Sequence, residues 1–173
     1  MKLLYSIHRY DVFMFTWLLN CRSHTVLTKM SRYLSKTGDG PLYGLIAALL
    51  FWQFGLDNAL LQSMLIAFAL ERPLYFVLKN GFKRNRPQEI LQNFRSSIIP
   101  SDKFSFPSGH TSAAFLMATL LSSFFPSLFI FLLSWAVLVG FSRVVLGVHF
   151  PTDTVMGALL GLSSALFALG QIA

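Results

Sequence analysis

Long apolar runs separated by short polar breaks constrain this chain more than any other feature. Segments near 41–56, 59–78, 108–125, 127–146 and 151–170 each cross, or nearly cross, the hydrocarbon layer of a bilayer if helical, a layer that takes about 20 helical residues. In that layer every backbone N–H and C=O must be satisfied internally, and isolated runs of this length do so only as helices. The composition agrees: 54% of the 173 residues are hydrophobic and only 12% are charged, outside the balance of ordinary soluble domains. The sequence therefore predicts an all-α integral membrane protein, a bundle of five to six transmembrane helices forming one domain over residues 1–173, with no soluble appendage.

The first 40 residues differ from the rest. Residues 3–20 mix Leu, Phe, Trp and Met with His8, Arg9 and Asp11, and the clean apolar stretch Val12–Leu19 is well short of the roughly 17 residues a span needs. This segment reads as an amphipathic helix lying in the membrane interface, with a short first span as the alternative. No small-residue cleavage site follows it, so it does not read as a cleavable signal. Arg22, Lys29, Arg32 and Lys36 then lead into the turn Thr37-Gly38-Asp39-Gly40-Pro41. Cys21 is the single cysteine, which excludes an intrachain disulfide. The net charge of +7 does not form a soluble basic face, because the basic residues adjoin the apolar runs. Anionic headgroups and a phosphate ligand account for them, and no nucleic-acid partner is expected.

Three clusters of polar residues stand at the ends of apolar runs, where charge is costly unless used. Lys79 and Arg86-Pro87 flank Lys83 and Arg84; a guanidinium fork matches phosphate oxygens in pairs, and an ammonium adds a movable charge. Alone, this cluster better describes juxtamembrane cations that bind headgroups. Pro107-Ser108-Gly109-His110 opens an apolar run, with Ser108 a suitable N-cap, Gly109 permitting close approach, and backbone N–H groups facing an anion. His110 can exchange a proton near neutral pH; the plainer reading is a helix start with an interfacial histidine.

In the third cluster, Ser142-Arg143 precede His149 and Asp153, and Pro151 fits the first position of the last helix. Asp153 at the third position can reach back and hydrogen-bond one imidazole nitrogen of His149, leaving the other as a nucleophile. A core His–Asp pair is the bland alternative, and a metal site lacks a further ligand cluster. Counting spans places all three clusters on one side of the membrane. Glu71 and Arg72 lie inside a run and read as a mutual structural contact. Arg72 and Lys79, seven residues apart, share a helix face.

The ordered set Lys-x6-Arg-Pro, Pro-Ser-Gly-His and Ser-Arg-x5-His-x3-Asp resembles the type 2 phosphatidic acid phosphatase family, with no departure at any motif position. The motifs cover 79–153. The resemblance implies a helical core shared with vanadate haloperoxidases and a phosphatase needing no metal or other cofactor. It implies that His149 attacks phosphorus, Asp153 orients it and His110 protonates the leaving oxygen and then activates water. Lys79, Arg86, Ser108, Gly109 and Arg143 would hold the phosphate. The implied substrate is a membrane lipid phosphate such as undecaprenyl diphosphate, phosphatidylglycerophosphate or phosphatidic acid. A lipid phosphotransferase or a nonenzymatic phospholipid-binding or transport protein is the alternative. Basic residues crowd the site's side of the membrane, which argues for the cytoplasm. Similar bacterial proteins place the site on the periplasmic side of the inner membrane, and that is the orientation expected here.

Overall fold

A computed structural model describes residues 2–21, 24–100 and 102–172; Arg22 of the N-terminal basic group lies outside them. Among these residues eight α-helices follow in order: α1 (Lys2–Leu19), α2 (His24–Thr37), α3 (Gly40–Phe54), α4 (Ala59–Phe82), the single turn α5 (Pro87–Ile90), α6 (Gly109–Phe124), α7 (Phe129–Val145) and α8 (Pro151–Ile172). Among the described residues there is no β-strand. Each apolar run of the sequence becomes one helix, and the breaks fall where proline, glycine and asparagine put them. Asn58 caps α4 by accepting from the Leu61 N–H at 2.9 Å. Pro151 begins α8, where its missing N–H costs nothing.

Three stretches, 59–90, 126–145 and 151–172, are long and apolar enough to cross a membrane. Helices α3 and α6, with 15 and 16 residues, are shorter, about 22–24 Å at the helical rise. The outer surface carries large apolar side chains such as Val77, Ile130, Phe131, Leu159 and Phe167, a surface suited to lipid.

The core is an α4–α6–α8 layer. Leu60, Met64 and Ala67 of α4 pack with Leu116, Met117 and Leu120 of α6 and with Ala165 and Ala168 of α8. Helix α3 covers one end through Tyr43, and α7 closes the other side of α6 through Ala136 and Val139. The tightest approach is between α6 and α8. A Cβ on Gly157 would lie 2.4 Å from the Ser108 carbonyl oxygen, and one on Gly161 would lie 2.0 Å from that of Ser112. Two glycines four residues apart thus let the backbones touch, as small-residue pairs do between membrane helices.

Helix α1 carries apolar side chains on both its outward and its inward face. Tyr10, Phe13, Met14 and Trp17 point outward, while Phe15 and Leu18 pack on Val144, Val145 and Phe150. Among the described side chains of α1 the other buried one is a carboxylate, Asp11. Helix α2 lies along α7 and buries Ser31 and Ser35.

The α6–α8 contact predicts that Gly161→Ala destabilises the fold by about 1–3 kcal/mol through overpacking against backbone, seen as a Tm several degrees lower in detergent. Gly170→Ala on the same helix, where a Cβ meets open space, leaves Tm unchanged. Equal Tm values for the two variants would contradict the packing account.

Candidate active site

Hydrogen bonds to backbone carbonyls bring the three sequence clusters together at one end of the bundle. The Ser108 N–H donates to the Asp153 carbonyl at 3.0 Å, tying the start of α6 to the start of α8. Arg86 Nη1 donates to the Val148 carbonyl at 2.5 Å, and Arg86 Nε to the Asp102 carbonyl at 2.9 Å. The segment after α4 is thereby fixed to the turn between α7 and α8. Gly147 makes that turn with φ +77°, a conformation unfavourable to other residues, and a Cβ there would meet the Phe94 ring at 2.4 Å. The span-counting expectation that the clusters share one face agrees with this assembly.

Arg86, Gly109, His110, Arg143 and His149 line a cavity of about 500 Å³ together with Arg72 and Asp102; its other walls are mostly apolar, among them Tyr43 and Ala47 of α3, Met64, Leu65 and Phe68 of α4, and Ala113 of α6. Cations and histidines thus share one cavity with an apolar surface. Lys79, Ser108 and Asp153 stand outside that lining. Ser108 occupies the N-cap position of α6 in extended backbone, as expected, yet its hydroxyl makes no capping bond. It pairs with Thr111 Oγ1 at 2.9 Å, a buried hydroxyl one turn on.

The expected Asp153–His149 hydrogen bond is not formed. Asp153 Oδ2 lies 3.8 Å from His149 Nδ1, beyond hydrogen-bonding distance, and Nδ1 is buried without a hydrogen-bond partner among the described residues. Asp153 does reach back from the third position of α8, but to the backbone: Oδ2 accepts the Phe150 N–H at 2.8 Å. Its other oxygen accepts from Arg84 Nη1 at 2.7 Å. The carboxylate is held beside the imidazole, close enough to act on its charge.

Burial pushes the His149 imidazole down to about 3; the Asp153 carboxylate pulls upward without prevailing, and Arg143 and Arg86 push further down. His149 is therefore neutral at physiological pH, the state a nitrogen nucleophile requires.

The remaining candidates are held by residues that sequence reasoning did not single out as site residues. Lys79 Nζ donates to Asp102 Oδ2 at 2.7 Å and makes a short contact with the Tyr75 hydroxyl, which itself donates to Asp102 at 2.7 Å. Burial raises the Asp102 carboxyl, but the hydrogen bonds from Lys79 and Tyr75 outweigh it and hold it below the usual carboxylate range. His110 Nε2 meets Asp39 Oδ1 at 2.8 Å. Arg143 Nη1 donates to Ser35 Oγ at 2.6 Å, while its buried Nε has no hydrogen-bond partner among the described residues. Glu71, fully buried, takes Arg72 and the Ser112 hydroxyl, the latter at 2.5 Å, which fits the structural contact expected of that pair. Tyr75, one turn before Lys79, carried a periodicity signal; Asp39 and Asp102 sat in segments legible only as a turn and a polar loop.

These features define a helical membrane protein whose cation-lined, histidine-bearing cavity runs into apolar walls. The chain belongs to the PAP2 superfamily, whose family model matches residues 58–173, the family its motifs resemble. It is 36% identical over 133 residues to phosphatidylglycerophosphatase B of Bacillus subtilis, an alignment covering 70% of this chain and 62% of that one. It is 31% identical over 146 residues to the undecaprenyl-diphosphatase of Sulfolobus acidocaldarius, covering 83% of this chain and 70% of that one. The chain thus spans less than two thirds of the Bacillus relative's length. The crystal structure of Aquifex aeolicus LpxE superposes with a TM-score of 0.78 at 30% identity, covering 91% of this chain and 93% of that one.

The burial of His149 predicts that its imidazole, followed by NMR of 15N-labelled histidine in detergent, stays neutral between about pH 5 and 8. Because the unfolded chain takes up this proton first, near pH 6.5, acid shifts the equilibrium toward unfolding. A His149 midpoint above 6 in the folded protein would contradict the assignment.

Proposed function

We propose that this protein hydrolyses the terminal phosphate of a membrane lipid phosphate or diphosphate through a phosphohistidine intermediate. The observation that carries the reading is one cavity lined both by His149, His110, Arg86 and Arg143 and by apolar side chains of α3, α4 and α6. A phosphate headgroup with a lipid tail matches both sets of walls. The relatives' names, phosphatidylglycerophosphatase B and undecaprenyl-diphosphatase, point to the same substrate class.

In this reading Arg86, Arg143, Lys79 and the Ser108–Gly109 segment hold the phosphate oxygens and stabilise the charge that builds on them. The His149 Nδ1 side faces Asp153, which leaves Nε2 as the attacking atom. Its lone pair forms the P–N bond as the P–O bond to the leaving group breaks, an ester bond in a lipid phosphate and an anhydride bond in a diphosphate, and the leaving oxygen takes a proton from His110. Asp153 offsets the positive charge that develops on the ring. A water then attacks phosphorus, the P–N bond breaks, and His110 takes the water's proton. Asp39, paired with His110, holds its ring in place during both steps. The active lipids would be undecaprenyl diphosphate, phosphatidylglycerophosphate or phosphatidic acid. The site would face the periplasm from a bacterial cytoplasmic membrane.

His149→Ala reduces phosphate release from purified lipid phosphates in detergent below about one thousandth of wild type, while chelation of divalent metals leaves wild-type turnover intact. Retained turnover in the variant would overturn the nucleophile, and loss on chelation with recovery on adding zinc or magnesium would overturn the mechanism. A panel of the three lipids compared by kcat/KM orders them.

Orientation has its own test at Ile99, an exposed position in the loop on the site's side. In a Cys21→Ser background, Ile99→Cys reacts with a membrane-impermeant maleimide added outside intact spheroplasts. Labelling only after lysis would place the site on the cytoplasmic side.

A further inference from the structure

We infer that Asp11, on the N-terminal helix and outside the family-matched region 58–173, is a positioning residue that sets the charge behind the proposed nucleophile; this rests on the phosphohistidine reading. Asp11 is 2% exposed, although it belongs to a helix whose outward face is aromatic. Its Oδ1 accepts the Thr152 N–H at 3.0 Å, and its Oδ2 accepts Arg84 Nη2 at 2.5 Å and a short bond from the Thr152 hydroxyl. The other arm of the same guanidinium, Nη1, donates to Asp153 Oδ1 at 2.7 Å and to Thr152 Oγ1 at 2.7 Å. The guanidinium also lies over the Phe150 ring, 4.6 Å from its centroid. Asp11 and Asp153 therefore share one cation, which is held by both fork ends and by a ring face.

The charge balance gives the arrangement a purpose. His149 must become positively charged as the P–N bond forms, yet Arg86 and Arg143 oppose that charge from the cavity side. Asp153 is the carboxylate placed to offset it, at 3.8 Å. Paired with Arg84 alone, Asp153 would be largely neutralised. With Asp11 on the other arm of Arg84, two carboxylates face one guanidinium, and a net negative charge remains behind the imidazole. A buried grouping that could have been an inert salt bridge is thereby left anionic. The packing of Phe15 on Phe150, with ring centroids 5.7 Å apart, and of Leu18 in the same cluster, holds α1 where Asp11 can reach.

Asp11→Asn tests this with little change of shape: the one amide oxygen can keep accepting from Arg84 and the Thr152 hydroxyl, while the charge and the acceptor for the Thr152 N–H are lost. The expected result is a kcat about 10- to 100-fold lower, KM within about twofold and Tm within a few degrees of wild type. In the double variant Asp11→Asn/Arg84→Gln, the Asp153 charge is again unshared, and kcat rises above that of Asp11→Asn. Wild-type kcat in Asp11→Asn, a loss of kcat that tracks a loss of Tm, or no recovery in the double variant overturns the inference. His149→Ala run in parallel separates the two claims. If it is inactive while Asp11→Asn matches wild type, only the role of Asp11 falls; if it is active, the nucleophile reading falls and this inference with it.

Discussion

The structure depends on the contact between α6 and α8. Gly157 and Gly161 remove the side chains that would hold the two helices apart, so that α8 rests on the Ser108 and Ser112 carbonyls of α6. The Ser108 N–H then bonds to the Asp153 carbonyl. One packing decision thus places the Gly109-His110 helix start against the His149–Asp153 helix start. Any side chain in the gap would push apart residues that are about 40 positions distant in sequence. Membrane helices cannot rely on the hydrophobic effect to draw them together, which makes such backbone proximity the economical way to build a shared polar end.

The second constraint is electrostatic. A membrane protein that gathers Lys79, Arg84, Arg86 and Arg143 at one end of its bundle must keep them compatible with each other before any phosphate arrives. The structure does this with internal acceptors: Asp102 for Lys79, backbone carbonyls for Arg86, Ser35 for Arg143, and two carboxylates for Arg84. Arg86 Nε and Lys79 both meet the same loop residue, Asp102, one through its carbonyl and the other through its carboxylate. Residues of α1, α2 and the loop before α6 therefore hold the positions of groups carried by α4, α7 and α8, and the N-terminal helices are structural partners of the site.

Much of this was legible in the sequence, for identifiable reasons. Apolar run length located each membrane helix, Pro151 marked where α8 begins, and the turn around Leu56–Asn58 appears as a 3-10 turn followed by the Asn58 cap. Span parity alone placed the three motifs on one side. The Asp153–His149 hydrogen bond was the expectation that failed: the sequence shows that Asp153 stands at the third position of a helix, but not that the Phe150 N–H and Arg84 would take its oxygens. Asp39 and Asp11 were illegible as site residues for a related reason. Their partners His110 and Arg84 lie 71 and 73 residues away, and no local periodicity encodes a contact across such a separation. Asp11 in particular read as one polar group of an amphipathic helix, and only tertiary packing buries it.

The central claim is that His149 carries the phosphoryl group between lipid and water. It is tested most directly by mixing the protein with lipid phosphate labelled in its terminal phosphate, quenching within a turnover under alkaline conditions, and locating the label by peptide mapping. The account predicts acid-labile, base-stable phosphate on His149 that turns over when water is allowed to react. Label on another residue, or lipid turnover with no labelled peptide at any quench time, would contradict it.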